Sequence, residues 1–264
     1  MTEADATRKL RSAEEWDEAL RKIYQRVDAE RKQDDEALFY TMDSILPDLD
    51  DQQLIWIFYT RGNVYELKGS FDKAEGEYLH MEGICEEVQD SKGRAYALKG
   101  LGNVAFKQQR YTAAEQYYKK CQRIAQMLEE NLLLSDVLNN LGSCFYTNDD
   151  VDEALCIFEK ALELAGADTS RQASTLYNEG LCYARKEEFA KAKELWSKSL
   201  TLYQTLQSAV EITKVQHNLR EVDKKQKREF LQENYERVKQ TGTTADIEKA
   251  YKELVRFLMD EFTA

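Results

Sequence analysis

Residues 101–118, LGNVAFKQQRYTAAEQYY, contain a spacing that recurs along the chain. Gly102 is followed twelve residues later by Ala114, and four residues after that by Tyr118. Three further copies of this spacing read Gly62, Ala74 and Tyr78; Gly142, Ala154 and Phe158; and Gly180, Ala192 and Trp196. The glycines are 40, 40 and 38 residues apart, and a repeat of this length indicates an array of stacked units.

The repeated residues are the ones that allow two helices to pack closely. Helices approach one another where one of them presents a residue without bulk, and we expect the glycine to mark that point on the first helix of each unit. The alanine marks it on the second helix, and we expect the aromatic residue one turn later to fill the space between this hairpin and the next. Each unit is therefore predicted to be a helical hairpin.

This arrangement resembles the tetratricopeptide repeat (TPR), most closely at Leu101-Gly102 and Leu141-Gly142. The resemblance covers residues 50–226 and implies an all-α, right-handed superhelical solenoid of antiparallel helix hairpins. Arg61 and Glu179 stand where leucine is expected. The unit of about 40 residues is similar to the extended repeats of Pins-type scaffolds, kinesin light chains and Rap-type peptide receptors.

Composition agrees with an elongated helical array of 264 residues that forms one domain. One proline and eleven glycines leave little material for strands or tight turns. No stretch approaches 18 apolar residues, and the first eleven residues are polar, so we expect neither membrane spanning nor secretion. The five cysteines fall on positions typical of structural, reduced thiols, which predicts a cytoplasmic protein.

The repeat divides the chain into three predicted regions. Residues 1–50 form a degenerate N-terminal helical hairpin that caps the array, and Asp50 or Asp51 starts the next helix. Four repeats follow at 51–90, 91–130, 131–168 and 169–207. Residues 208–264 form a fifth, partial repeat with a long helix and a C-terminal capping helix, because Arg220 replaces the packing glycine. The capping helix places the following residues on one face: Ile247, Ala250, Tyr251, Leu254, Leu258 and Met259.

Charge and motifs narrow the function. A net charge of −12 disfavours nucleic acid and anionic membranes as partners. The two histidines, His80 and His217, have no partner at metal-ligand spacing, and no phosphate loop or nucleophile motif occurs. We therefore predict no metal, no cofactor and no enzymatic activity.

The resemblance implies a binding face, because a TPR stack turns one side of each first helix toward its concave groove. The positions on that side carry Tyr59, Asn63, Glu66, Lys99, Asn103, Phe106, Asn139, Asn140, Ser143, Tyr146, Tyr177, Asn178, Arg185, His217 and Asn218. Asparagine amides both donate and accept hydrogen bonds, so a row of them can hold the backbone of an extended peptide. The alternative is that each asparagine bonds within its own hairpin.

A sharper possibility is a carboxylate clamp of the kind that holds chaperone tails. Lys99, Asn103 and Asn140 match its first three members, but Ser174 and Asn178 stand where two further cations are required.

We predict that the chain is an adaptor that binds a protein or peptide segment in its concave groove. Two alternatives stay open. One is a regulatory receptor that senses a short peptide, and the other is a structural subunit that uses the convex face or the C-terminal helices of the array.

Overall fold

The computed structural model of the protein describes residues 50–263. Ten helices and no strands occur in this range, which confirms the all-α prediction. The helices are α1 (Asp51–Leu67), α2 (Phe71–Glu87), α3 (Ser91–Lys107), α4 (Tyr111–Met127), α5 (Asn131–Thr147), α6 (Val151–Ala165), α7 (Thr169–Arg185), α8 (Phe189–Thr205), α9 (Ala209–Thr241) and α10 (Thr244–Thr263). The predicted N-terminal cap lies outside the described residues except for Asp50.

The chain divides into two compact units between Ala165 and Gly166. Among the described residues, the first unit contains α1 to α6 and the second contains α7 to α10. The sequence predicts one elongated domain, whereas the structure divides it where the repeat is shortest. Helix α6 has 15 residues, and the other seven helices of the four repeats have 17.

Aspartate side chains begin the first helix of three repeats. The Oδ1 atom of Asp50 accepts a hydrogen bond from the Gln53 N–H at 2.9 Å, and Gln53 Oε1 accepts one from the Asp50 N–H at 3.1 Å. This reciprocal pair is a capping box that satisfies backbone donors at the helix start. The side chains of Asp90 and Asp168 cap α3 and α7, and each accepts a single backbone N–H hydrogen bond at 2.9 Å.

Each of the helices α1 to α8 is followed by one residue in the left-handed backbone conformation. Only two of these eight residues are glycine: Gly69, Gln89, Gln109, Glu129, Asp149, Gly166, Glu187 and Gln207. At seven of these helix ends the next residue donates its N–H to a carbonyl of the last turn, as when Ser70 donates to the Tyr65 carbonyl at 2.9 Å. Most of these turns therefore lack the glycine that usually indicates a helix end in a sequence.

Aromatic rings lie directly against the glycines of the repeat. A Cβ atom added at Gly142 would come within 2.6 Å of the Phe158 ring, and Gly102 and Gly180 are in equivalent contact with Tyr118 and Trp196. All four repeat alanines are fully buried, and the four aromatic side chains are at most 2% exposed. The predicted close approach of helices within each hairpin is confirmed.

In the first hairpin the aromatic residue also contacts the next hairpin, as predicted. The Tyr78 ring lies between Gly62 of its own hairpin and Gly100 of the next, and a Cβ atom at either glycine would approach the ring to 2.6 Å. Gly100 therefore allows the second hairpin to stack against the first.

Four of the five cysteines are buried and none is in a disulfide. Within the first unit, Cys121 donates from Sγ to the Ala95 carbonyl at 3.0 Å, and within the second unit Ser199 donates to the Ala173 carbonyl at 2.7 Å. These bonds link the two helices of a hairpin at equivalent positions. Cys156 differs from the prediction of a packed structural residue, because it lies on the exposed side of α6.

The C-terminal region contains the predicted long helix, since α9 continues for 33 residues. Val215 and Val222 pack in one core cluster with Trp196 of α8, whereas α9 and α10 meet further along, where Tyr235 and Tyr251 have ring centroids 5.9 Å apart. Of the six residues predicted to share one face of α10, Ala250 is buried, whereas Tyr251 and Met259 are 53% and 62% exposed.

The glycine contacts predict opposite effects for two glycine-to-alanine changes. Gly102→Ala should lower the free energy of unfolding by about 1–3 kcal/mol, because the new methyl group displaces the buried Tyr118 ring. Gly83→Ala, in the middle of α2 with open space around it, should raise it by about 0.5–1 kcal/mol through helix propensity. Chemical denaturation of both variants measures the difference, and equal effects would contradict the contact.

Candidate functional site

A short chain of hydrogen bonds connects three helices of the first unit. The Tyr118 hydroxyl on α4 donates to Asn103 Oδ1 on α3 at 2.9 Å, and Asn140 Nδ2 on α5 donates to the same oxygen at 2.9 Å. Among residues 50–263, the Asn103 Nδ2 group and the Asn140 carbonyl oxygen have no hydrogen-bond partner. The chain thus holds two amides in fixed positions and leaves one donor group and one acceptor unused.

The first repeat has the same bond, because Tyr78 donates from its hydroxyl to Asn63 Oδ1 at 2.7 Å. In both repeats, the asparagine directly after the glycine accepts the hydroxyl of the aromatic residue in its own hairpin. In the third and fourth repeats the aromatic residue has no hydroxyl, and the position after the glycine changes with it: Ser143 with Phe158, and Leu181 with Trp196. The alternative of bonding within the hairpin is therefore correct for the oxygens of Asn63 and Asn103.

The free amide groups lie at a cleft of about 260 Å³, which we call the asparagine cleft. Asn103 and Asn140 line it together with Phe106 and Ser143. Tyr118, Glu66 and Lys107 complete the lining. Polar groups that fix orientation beside an aromatic wall are typical of a site that binds a ligand chain.

Two ion pairs set the charge near this cleft. Glu66 and Lys107 are 2.8 Å apart, and Lys99 lies 3.3 Å from Asp136. Burial acts to lower the pKa of Lys99, but Tyr59 and Asp136 outweigh it and leave that pKa raised, so the side chain stays charged. Because Asp136 already pairs with this cation, a carboxylate clamp here lacks a free charge.

The hydroxyl at the centre of the site stays protonated at all ordinary pH values. Burial, with smaller contributions from Cys144 and Glu66, holds the pKa of Tyr118 well above its usual range, and the Asn140 hydrogen bond acts in the opposite direction. Tyr118 therefore acts as a permanent donor to Asn103.

The remaining predicted residues of the first unit lie on the same helices. Tyr59 packs against Tyr96 and Tyr78, with ring centroids 5.8 Å and 6.3 Å apart, and so belongs to the core. Phe106 contacts Tyr111 edge-on at 5.3 Å. Asn139 and Tyr146 are half-buried on α5.

In the second unit, two of the predicted residues are in direct contact. Asn218 Nδ2 on α9 donates to the Tyr177 hydroxyl on α7 at 3.0 Å. Asn178 is half-buried on α7, and Arg185 and His217 are exposed.

Sequence reasoning missed two residues at or near the site: Lys107, which lines the cleft from α3, and Asp136 on α5, which pairs with Lys99. One signal in the sequence could have located the Tyr118 bond. Asparagine follows the glycine only in the repeats whose aromatic residue, sixteen positions after the glycine, is tyrosine.

The described residues also bear on chemistry and on membranes. No group of three or more potential metal ligands occurs among them. Burial, the largest effect at each of these thiols, raises the pKa of Cys85, Cys121, Cys144 and Cys182 to about 12, which makes them poor nucleophiles. Within residues 50–263, every helix is too short or too polar to span a bilayer.

Known proteins resemble this chain in sequence and in fold. The family model of the tetratricopeptide repeat matches residues 93–167. A photosystem I assembly protein Ycf3 of Prochlorococcus marinus is 30% identical over 139 residues, which cover 46% of this chain and 76% of that protein.

Two solved structures share the fold. BtubC (BKLC) from P. vanneervenii has a TM-score of 0.57 at 22% identity, over 74% of this chain and 80% of that chain. The apo form of RapI has a TM-score of 0.59 at 12% identity, over 87% of this chain and 92% of that chain. At these identities the likeness shows the fold alone.

A double-mutant cycle tests the bond between Tyr118 and Asn103. Asn103→Ala should destabilise the protein by about 1–3 kcal/mol, because it leaves a buried hydroxyl without its acceptor. In a Tyr118→Phe background, the loss of unfolding free energy caused by Asn103→Ala should be smaller by about 0.5–1.5 kcal/mol. Unfolding free energies of the four proteins give the coupling, and additive effects would show that the bond contributes nothing to stability.

Proposed function

Because the chain belongs to the tetratricopeptide repeat family, we propose that it is a non-enzymatic adaptor that binds an extended segment of a partner protein in the asparagine cleft. One observation carries the proposal: Asn103 and Asn140 line the same cleft, and among the described residues the Asn103 N–H groups and the Asn140 carbonyl have no hydrogen-bond partner. Every peptide unit of an extended segment offers the matching acceptor and donor.

Preorganisation supports this use of the two amides. Tyr118 and Asn140 both donate to Asn103 Oδ1, so the amide plane of Asn103 is fixed before any partner arrives. A fixed side chain loses little conformational entropy on binding, and the free groups keep more of their hydrogen-bond energy as affinity.

The walls of the asparagine cleft favour a segment that carries both apolar and polar side chains. Phe106 supplies an aromatic surface, and the Glu66–Lys107 ion pair at 2.8 Å balances its own charge. A site that reads the main chain in this way holds a segment without requiring one strict sequence.

The sequence relative suggests a biological setting for the adaptor. Ycf3 is named as an assembly protein, and we carry over only the use of a TPR array in protein assembly. Helical repeat arrays serve generally as binding surfaces, which agrees with an adaptor rather than an enzyme. Five cysteines without a disulfide agree with a reducing compartment, so we place the adaptor in the cytoplasm.

An isosteric change tests the cleft without disturbing its support. Asn103→Asp keeps the oxygen that accepts from Tyr118, replaces the N–H groups by a second acceptor and adds one negative charge, which the control variant below also adds. We expect binding to weaken by about two- to tenfold, the value of one hydrogen bond, with an unchanged thermal melt. The measurement compares the proteins captured from native lysate by wild type and variant, followed by calorimetry with the contacting segment of the main partner.

Asn131→Asp is the matched control, because Asn131 is an exposed asparagine at the start of α5 in the same unit. This variant should bind like wild type. If Asn103→Asp bound the partner with full affinity, the partner would have to bind another surface of the protein. That result would favour the alternative of a structural subunit.

A further inference from the structure

A second cleft in the first unit lies at the opposite ends of α1 and α3 from the asparagine cleft. It encloses about 230 Å³, and we call it the tryptophan cleft. Its apolar walls are Ile55 and Trp56 of α1, Met81 of α2 and Tyr96 of α3. Ile55 and Met81 are buried, but the Trp56 side chain is 46% exposed. A tryptophan that borders an apolar cleft and remains half open to solvent is a typical binding anchor.

The charges that residues 50–263 place around the tryptophan cleft are mainly negative. Asp90 lines it and uses one carboxylate oxygen to cap α3 through the Gly93 N–H at 2.9 Å. The other oxygen has no hydrogen-bond partner among residues 50–263. Lys92 also lines the cleft, but its ammonium is 2.5 Å from Glu130, whose hydrogen bond raises the pKa of Lys92.

Other charges at the same helix ends do not reverse this sign. Asp50 and Asp51 begin α1 directly before the cleft residue Gln52, and Glu86 and Glu87 end α2. Arg94 is 3.4 Å from Glu82 and 3.6 Å from Glu86, so its charge is balanced locally. An incoming cation therefore meets a favourable potential, whereas an anion is repelled.

We propose that the tryptophan cleft is a second partner site, which binds a segment carrying an aromatic or large aliphatic side chain next to lysine or arginine. The apolar side chain enters between Trp56, Met81 and Tyr96. The adjacent cation pairs with the free oxygen of Asp90 or lies over the Trp56 ring, and each of these contacts favours a positive charge. Charge complementarity thus selects a basic partner.

This site is separate from the asparagine cleft. Tyr96 lines one and Asn103 lines the other, seven residues along α3, which corresponds to a rise of about 10 Å. Occupation of the asparagine cleft is not required for the tryptophan cleft to bind, so failure of either proposal leaves the other standing.

Two capped peptides serve as probes on the full chain: acetyl-Lys-Phe-Arg-Lys-amide and its acidic counterpart acetyl-Glu-Phe-Asp-Glu-amide. Calorimetry measures affinity, and nuclear magnetic resonance follows the indole N–H of Trp56. We expect the basic peptide to bind and to shift the Trp56 signal, and the acidic peptide to do neither. Trp56→Ala should reduce the affinity of the basic peptide by about tenfold or more.

Asp90→Asn provides the second variant, because asparagine caps a helix as well as aspartate does and the fold is retained. This variant should bind the basic peptide about fivefold more weakly than wild type does. Its affinity should also fall less than that of wild type when NaCl is raised from about 50 to about 500 mM. Asp168→Asn is the matched control: it removes the same charge from the equivalent cap of α7 and should leave peptide affinity unchanged.

Several results would overturn the proposal. These are equal binding of the two peptides, binding without a change at Trp56, and full affinity of both Trp56→Ala and Asp90→Asn. Self-association that Trp56→Ala abolishes, or a crosslink from position 56 to residues 1–49 in the free protein, would assign the cleft to a second copy or to the chain's own N-terminal segment.

Discussion

The contact of an aromatic ring with a glycine backbone is the constraint on which the rest of this structure depends. In each hairpin the ring occupies the space that a Cβ atom would need, as Tyr118 does at Gly102. The ring and the glycine therefore fix the distance between the two helices more tightly than side-chain packing alone, because neither can move without leaving a void or a clash. This distance places the residue after the glycine within reach of the far end of the ring.

The polar site is a consequence of that packing. A tyrosine ring placed in the core carries a hydroxyl that must find an acceptor, and Asn103 supplies it from one residue beyond the glycine. An asparagine has more hydrogen-bonding capacity than this single bond uses. Asn140 uses part of the remaining capacity. The Asn103 N–H groups have no partner among the described residues, and the Asn103 side chain lines the asparagine cleft.

Periodicity predicts which residues of the repeat are buried, because Gly142, Ala154 and Phe158 recur at helical spacing and burial is a property of the face. It does not predict partners. The bond from Asn140 to Asn103 joins residues of different repeats, and the pairing of Lys99 with Asp136 depends on side-chain conformations that no spacing contains. Gln109 and Glu129 follow helix ends without a glycine signal and have positive φ values of 61° and 55°. Local backbone hydrogen bonds close these ends, as when Arg110 N–H donates to the Ala105 carbonyl at 2.8 Å.

The stability of the first unit and the proposed recognition of a partner both depend on one side chain, that of Asn103, whose Oδ1 accepts two hydrogen bonds. Its two incoming bonds hold three helices in register, and the same bonds orient the amide that faces the cleft. Removing the whole side chain would therefore disturb both properties together, through an unsatisfied buried hydroxyl and through lost N–H groups. The two properties separate only at the level of single atoms, because the oxygen serves the fold and the nitrogen is left for a partner. In the proposed binding surface, the same hydrogen bonds that stabilise the core also fix the orientation of the Asn103 amide. No further residues are needed to hold that amide in place.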